Sequence, residues 1–210
     1  TLKAIDTQHT RLLSQPAVDT RQIAFVYAGD VWIANLDGSS PRRLTSHTGY
    51  ESNPVFSPDG SLVAFNAQYD GNRDVYIVSS QGGVPKRLSV HPASDYICGF
   101  TPGGKSVIFR SSRNSFTRRY SQLFQVPVQG GFPQQLKIPR VFKASYSPDG
   151  NHIAYVPLAE VYHEWKHYRG GTVTEIQIMN LSDYSIETIQ QPQGRCNDTD
   201  PVWIGNKIYF

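Results

Sequence analysis

His163-Glu164-Trp165-Lys166-His167 satisfies the H-E-x-x-H spacing of a zinc peptidase. That chemistry needs a helix, on which the two imidazoles share one face and ligate zinc while Glu164 acts as general base on a zinc-bound water. A helix over 158–168 would meet the need, and Glu187 stands twenty residues beyond His167 as a third ligand to weigh. Against it, Gly170 and Gly171 end such a helix almost at once, and Glu187 falls in an outer strand of a repeated unit. A short pattern with two free positions recurs by chance outside its proper context. The segment therefore reads as an exposed helical insertion that packs on another domain or lines one face of the fold. Its contact residues are Trp165, Lys166, Tyr168 and Arg169, and no metal or other cofactor is expected.

A second group is Arg110, Arg113, Arg118 and Arg119, interleaved with Phe116 and Tyr120. Guanidinium groups beside aromatic rings suit single-stranded nucleic acid, or peptide carboxylates that arginine grips bidentately. A solvated hairpin loop explains the same residues without a ligand. The net charge of +3 is too small to argue for nucleic acid, which is not expected as a partner. Arg113, Arg118, Arg119 and Tyr120 remain the candidates for contact with a peptide or a protein. No Gly-x-Ser-x-Gly elbow and no triad at meaningful spacing occurs, so no catalytic residue is expected in these 210 residues.

The elements that must position these residues are strands and tight turns. Asn53-Pro54-Val55-Phe56-Ser57-Pro58-Asp59-Gly60, followed by Leu62-Val63-Ala64-Phe65, reads as strand, turn and strand. Pro58 presets φ for a type I turn and Gly60 supplies the positive φ that re-enters a hairpin. The unit returns at Phe100-Thr101-Pro102-Gly103-Gly104 and at Tyr146-Ser147-Pro148-Asp149-Gly150, with degenerate copies at Asp19-Thr20-Arg21 and Trp203-Ile204-Gly205-Asn206. Second strands start near Ile23, Val63, Val107, Ile153 and Ile208, at spacings of 40, 44, 46 and 55 residues. Third strands follow at Asp30–Ile33, Asp74–Ile77, Gln122–Val126 and Glu175–Ile178, and fourth strands at Arg43–Thr45, Arg87–Ser89, Gln135–Lys137 and Glu187–Ile189.

Four strands per 40–45 residues is a β-propeller blade. Strand cores such as Leu62-Val63-Ala64-Phe65 are apolar on consecutive residues, as expected when neighbouring blades cover both faces of a sheet. The chain thus reads as all-β, a partial propeller over 11–210 behind a disordered tail at 1–10. Its blades run approximately 11–45, 52–89, 96–137 and 142–189, with a fifth starting from 200. A six-bladed ring needs on the order of 250–270 residues, so about four and a half blades of such a ring are expected, with an open end that invites self-association. Asp30, Asp74 and Glu175 recur at one blade position and read as structural, bonding a turn, while Trp32, Tyr76 and Phe124 read as core between blades.

Composition agrees: 39% hydrophobic and 12% aromatic residues exclude disorder, and 17 Gly, 14 Pro and a single Met favour turns and strands over long helices. No apolar run reaches the length of a membrane span, and no membrane partner is expected. Cys98 and Cys196 lack metal-ligand spacing and read as two buried thiols.

The S-P-D-G turn, with Val63-Ala64-Phe65 after it and Asp74-Val75-Tyr76 beyond, resembles the TolB-like subclass of WD-type repeats. Such repeats occur in TolB, in prolyl-oligopeptidase-like propellers and in the first propeller of tricorn proteases. The opening Arg11-Leu12-Leu13-Ser14-Gln15-Pro16, leading to Ile23-Ala24-Phe25-Val26-Tyr27-Ala28-Gly29-Asp30-Val31-Trp32, is similar to the start of tricorn-type proteins. Trp165-Lys166-His167-Tyr168-Arg169-Gly170-Gly171 is similar to a W-K-x-Y-R-G-G segment of that family. The resemblance implies a multidomain serine peptidase that degrades short peptides, in which propellers govern access to a buried site and the catalytic serine and histidine lie in other domains. It implies as partners peptides and the remaining propeller and catalytic domains. Cytoplasm is the implied compartment, or a periplasm if a leader has been removed. A TolB-like interaction propeller without enzymatic activity is the alternative.

Overall fold

Five antiparallel sheets follow one another along the chain, in a computed structural model that describes residues 12–117, 120–158, 174–190 and 198–210. The first holds β1 (Ser14–Val18), β2 (Gln22–Tyr27), β3 (Asp30–Asn35) and β4 (Arg42–Arg43); the second holds β5 (Glu51–Phe56), β6 (Leu62–Ala67), β7 (Asp74–Ser79) and β8 (Lys86–Arg87). The third holds β9 (Asp95–Phe100), β10 (Ser106–Ser111), β11 (Gln122–Pro127) and β12 (Gln134–Gln135). The fourth holds β13 (Lys143–Tyr146), β14 (His152–Val156), β15 (Gln177–Asn180) and β16 (Ile186–Thr188), and a hairpin of β17 (Val202–Ile204) and β18 (Lys207–Tyr209) comes last. Within each four-stranded sheet the strands stand in chain order, and no α-helix occurs among the described residues. The first strands β1, β5, β9, β13 and β17 approach one another in sequence while the fourth strands do not, so first strands are innermost. This is the blade-by-blade arrangement of a propeller.

The turn between first and second strands forms for the reason its sequence suggests. In the second blade the Gly60 N–H donates to the Ser57 carbonyl at 2.8 Å, and Gly60 takes φ +71°. The Ser57 hydroxyl donates to Asp59 and accepts from the Leu62 N–H at 2.9 Å. Ser147, Asp149, Gly150 and His152 repeat this network in the fourth blade. These hydroxyl and backbone donors hold the Asp59 and Asp149 carboxyls down at about 2.

Apolar faces of neighbouring blades close on each other. Val31, Ile33 and Leu44 of the first blade meet Val63, Phe65, Tyr76 and Val78 of the second. Ala64, Val75 and Ile77 on the opposite face of the second meet Val107, Phe109, Phe124 and Val126 of the third. Ile108 and Leu123 then meet Ala144, Ile153, Tyr155 and Met179 of the fourth. Alternate residues of one strand thus serve different neighbours, which is why the strands read as continuously apolar.

Each junction also carries one recurring backbone hydrogen bond. The N–H of a residue at the start of the first strand or shortly before it donates to a carbonyl ahead of the preceding blade's third strand. The pairs are Glu51 to Gly29 at 2.9 Å, Asp95 to Arg73 at 2.8 Å, Val141 to Ser121 at 2.9 Å and Asp198 to Thr174 at 3.2 Å. At the outer rim Arg42 donates to the Ser80 carbonyl and Lys86 to the Gln129 carbonyl, tying the third-to-fourth turns of the second and third blades to the blade before.

Three expectations change. The fourth strands pair for only two residues at Arg42–Arg43, Lys86–Arg87 and Gln134–Gln135, because the following Leu44 and Leu88 turn inward and are buried between blades. Asp30 and Asp74 form ion pairs across the sheet, with Arg43 at 2.7 Å and Arg87 at 2.6 Å; Asp74 also accepts from the Asn72 amide of the adjoining loop at 3.4 Å, as expected, whereas Asp30 bonds no turn. Glu175 lies exposed two residues ahead of β15, since β16 brings no arginine to it. Of the three aromatic residues, Tyr76 and Phe124 are core, whereas Trp32 is half-buried on the uncovered face of the first blade, edge-on to Tyr27 at 5.9 Å. The expected tail at 1–10 and Cys196 lie outside the described residues, and Cys98 is half-buried.

Phe25, Phe65 and Phe109 hold one register position, opposite Trp32, Tyr76 and Phe124 respectively. Phe65 and Phe109 are fully buried and Phe25 is not. Urea denaturation should therefore show Phe109→Ala losing about 3–5 kcal/mol and Phe25→Ala less than half as much. Equal losses would mean that the face of the first blade is covered.

Candidate functional site

The second-to-third strand loops and the links between blades gather at one end of the sheets, and the arginine-rich segment 112–121 joins β10 to β11 there. A cavity of about 390 Å³ opens beside it, lined by Gln68 and Asn72 of the second blade and Tyr96, Arg110, Ser111 and Ser121 of the third. The Arg110 guanidinium lies between the Tyr96 and Phe142 rings, 4.2 and 4.1 Å from their centroids, and Arg73 lies 5.0 Å from the Tyr96 centroid. This alternation of cations and rings runs across three blades and holds Arg110 at the cavity wall.

Arg113 is not part of that wall. Its guanidinium turns inward to Asp95 at 2.5 Å and lies 5.1 Å from both the Phe109 and Phe124 centroids. The Asp95 side chain is fully buried and that of Arg113 only 10% exposed. A charge so enclosed must be paired, so Arg113 is committed to the core and removed from the candidates for ligand contact. Tyr120 carries Arg140 at 5.0 Å from its ring centroid, and Phe116 is 99% exposed at the loop tip. Arg118 and Arg119 lie outside the described residues. So do His163, Glu164, Trp165, Lys166, His167, Tyr168 and Arg169; Glu187, weighed with them, is exposed on β16.

The second blade answers the same burial problem differently. Glu51 pairs with Ala67 in register as Asp95 does with Ser111, and two residues further on stands Tyr69 where the third blade has Arg113. Fully buried, Glu51 accepts from the Tyr69 and Thr45 hydroxyls and, at 2.8 Å, from the Val31 N–H. The Tyr69 ring lies between those of His47 and Tyr76, tilted to both, with centroids 3.7 and 4.6 Å away. Burial pushes the Glu51 carboxyl above its ordinary 4.5, the three donors oppose the shift, and the Asp30 charge adds to it. Burial and Glu51 push the Tyr69 phenol upward as well, so it stays a neutral donor. Sequence reading missed these acids, although Glu51, Asp95 and Asp198 each stand five residues before an aromatic, Phe56, Phe100 and Trp203.

Two outcomes follow. Arg113→Ala should cost about 3–5 kcal/mol in urea denaturation by leaving Asp95 buried and unpaired, with part of the loss restored in Arg113→Ala/Asp95→Asn. A cost below about 1 kcal/mol would free Arg113 to meet a ligand. Glu51 holds its proton more tightly folded than unfolded, so it lowers stability as pH rises from its unfolded value through its folded one, and the loss is constant above that. Glu51→Gln should gain on the wild type progressively above pH 4.5; a stability difference independent of pH between 4 and 8 would show that folding does not raise the Glu51 carboxyl.

The chain resembles known proteins over almost all of its length. The tricorn protease N-terminal beta propeller domain family matches residues 10–210. Tricorn protease homolog 1 of Streptomyces coelicolor is 30% identical over 189 residues, covering 90% of this chain and 17% of that protein. The crystal structure of the tricorn protease superimposes with a TM-score of 0.78 at 26% identity, over 95% of this chain and 20% of that one. TolB from Acinetobacter baumannii shares the fold with a TM-score of 0.64 at 22% identity, over 90% of this chain and 45% of that one. The chain therefore spans about a fifth of the tricorn relatives it matches. It belongs to the tricorn protease N-terminal β-propeller domain family.

Proposed function

We propose that these 210 residues are the non-catalytic propeller portion of a tricorn-like serine peptidase that degrades peptides, serving as scaffold and as gate for peptide access or product exit. The family match over residues 10–210 carries this reading. The propeller offers stacked blades as a fixed wall and strand-connecting loops at their ends as a variable rim, and binding residues concentrate on such loops. Hydrolysis belongs on this reading to other domains of the full-length protein, which are the chain's partners together with peptides. Trp165, Lys166, Tyr168 and Arg169 are the contact residues toward a neighbouring domain. The half-buried Ile23, Phe25, Tyr27 and Trp32 on the first blade suit cover by another blade or another copy. A cytoplasmic location goes with the family resemblance.

Arg118 and Arg119, beside Tyr120, are the residues assigned to peptide carboxylates. The test uses the full-length protein and a pair of short peptides differing only in a free or an amidated C-terminus. Arg118→Ala/Arg119→Ala should raise KM for the free acid roughly ten- to hundredfold, the range of lost charge-assisted hydrogen bonds, with little change in kcat and none for the amide. A full-length protein that hydrolyses no peptide but binds a protein partner stably would replace this reading with that of an interaction propeller.

A further inference from the structure

At the turn end of the sheets, opposite the arginine-lined cavity, the inner strands carry an aromatic residue at one register position. Phe56 pairs with Val63, Phe100 with Val107, Tyr146 with Ile153 and Trp203 with Ile208. All four are half-buried; Phe56, Phe100 and Tyr146 stand immediately before the first-to-second strand turn, and Trp203 one residue further from it. Phe56, Phe100 and Tyr146 each pack part of the ring against the apolar cluster shared with the preceding blade. The rest of each ring is left uncovered on the innermost strand. In β5 and β9 a bulge lies just upstream of the aromatic, a device that re-aims a strand end.

Three of these rings, Phe100, Tyr146 and Trp203, meet the turn prolines Pro58, Pro102 and Pro148 around a cavity of about 320 Å³. Among the described residues no charged side chain lines it. Its serine hydroxyls are already engaged: Ser145 accepts from the Trp203 N–H at 3.0 Å, and Ser147 donates to Asp149 and accepts from the His152 N–H. Burial pushes the Tyr146 phenol upward, so it adds no charge. The cavity therefore offers aromatic and proline surface without an ionic partner. Its volume sits at the low end of ligand pockets, about 300–1,000 Å³, which is room for one large side chain rather than a folded partner.

We propose that this aromatic–proline cavity is a binding site for the apolar side chain of a short peptide, with an aromatic residue as its preferred occupant. The proposal rests on the reading of the chain as a peptide-handling propeller and locates a contact at the end of the fold away from Arg110. The absence of charge from the lining penalises an acidic or basic side chain, which would lose its hydration without a counter-ion. An aromatic side chain buries its faces against rings and prolines at no such cost.

The experiment titrates the 210-residue chain with acetyl-Ala-Phe-Ala-amide, acetyl-Ala-Glu-Ala-amide and acetyl-Ala-Ala-Ala-amide, followed by tryptophan fluorescence and calorimetry. The phenylalanine peptide should saturate, and bind about tenfold tighter than the other two. Trp203→Ala and Tyr146→Ala should each weaken it by about tenfold, while Trp203→Phe, which keeps a ring, should retain it and shows that the site rather than the fold was lost. Binding that ignores all three substitutions would overturn the site. So would equal affinity for the glutamate peptide, or a chain dimer that Trp203→Ala dissolves. If the phenylalanine peptide fails to bind while the full-length protein still hydrolyses peptides, this site is refuted and the peptidase reading stands.

Discussion

Every sheet in this chain must bury both of its faces, and only a neighbouring blade can do it. That requirement fixes the side-chain parity of the strands: Val75 and Ile77 serve the third blade while Tyr76 and Val78 serve the first. It also fixes how polar groups cross the junction. A backbone N–H at the head of each inner strand must find an acceptor as it leaves solvent, and the carbonyl ahead of the neighbouring third strand provides it at all four junctions. The apolar faces supply the driving force and this hydrogen bond sets the alignment.

Ion pairs within the blades absorb much of the chemistry that the sequence advertises. Asp30, Asp74 and Asp95 are spent on Arg43, Arg87 and Arg113, each pair joining segments that neither residue could hold by itself. An arginine drawn into such a pair is unavailable to a ligand, because withdrawing it would strand a carboxylate in an apolar setting. What remains for function is distributed by end. The loop end has guanidinium groups, amides and hydroxyls around Arg110, and the turn end has rings and prolines around Trp203. A peptide meeting the two ends would meet charge at one and apolar surface at the other.

The turns and the second and third strands were legible because their causes are local. Ser57, Pro58, Asp59 and Gly60 decide their own geometry, and the apolar run from Leu62 to Phe65 follows from two-sided burial. The fourth strands were misplaced by a residue or two because an inter-blade contact, the burial of Leu44 and Leu88, ends them. The acids Glu51 and Asp95 were missed, and Arg113 was assigned outward, because partners 18 residues apart meet only once the sheet has formed. Their sequence signal was an acid at fixed distance before an aromatic, and it becomes readable only after the repeats are aligned on the turns.

The junctions are alike in outline and unlike in their charges, which bears on how a stack of blades behaves. Stability in such an array is close to a sum of nearest-neighbour terms, so each junction contributes on its own account. Between the second and third blades the buried acid has a cation, the Arg113 guanidinium on Asp95. Between the first and second it has hydroxyls and an N–H, with Asp30 close enough to oppose ionisation. The first junction therefore depends on the protonation of Glu51, an acid buried there without a cation. The first blade also lacks cover on its other face, where Phe25 and Trp32 stand half-buried. With one face uncovered and the other held through a conditional acid, the first blade is the one whose seat in the stack depends most on its surroundings, whereas the second and third are fixed by apolar burial on both sides.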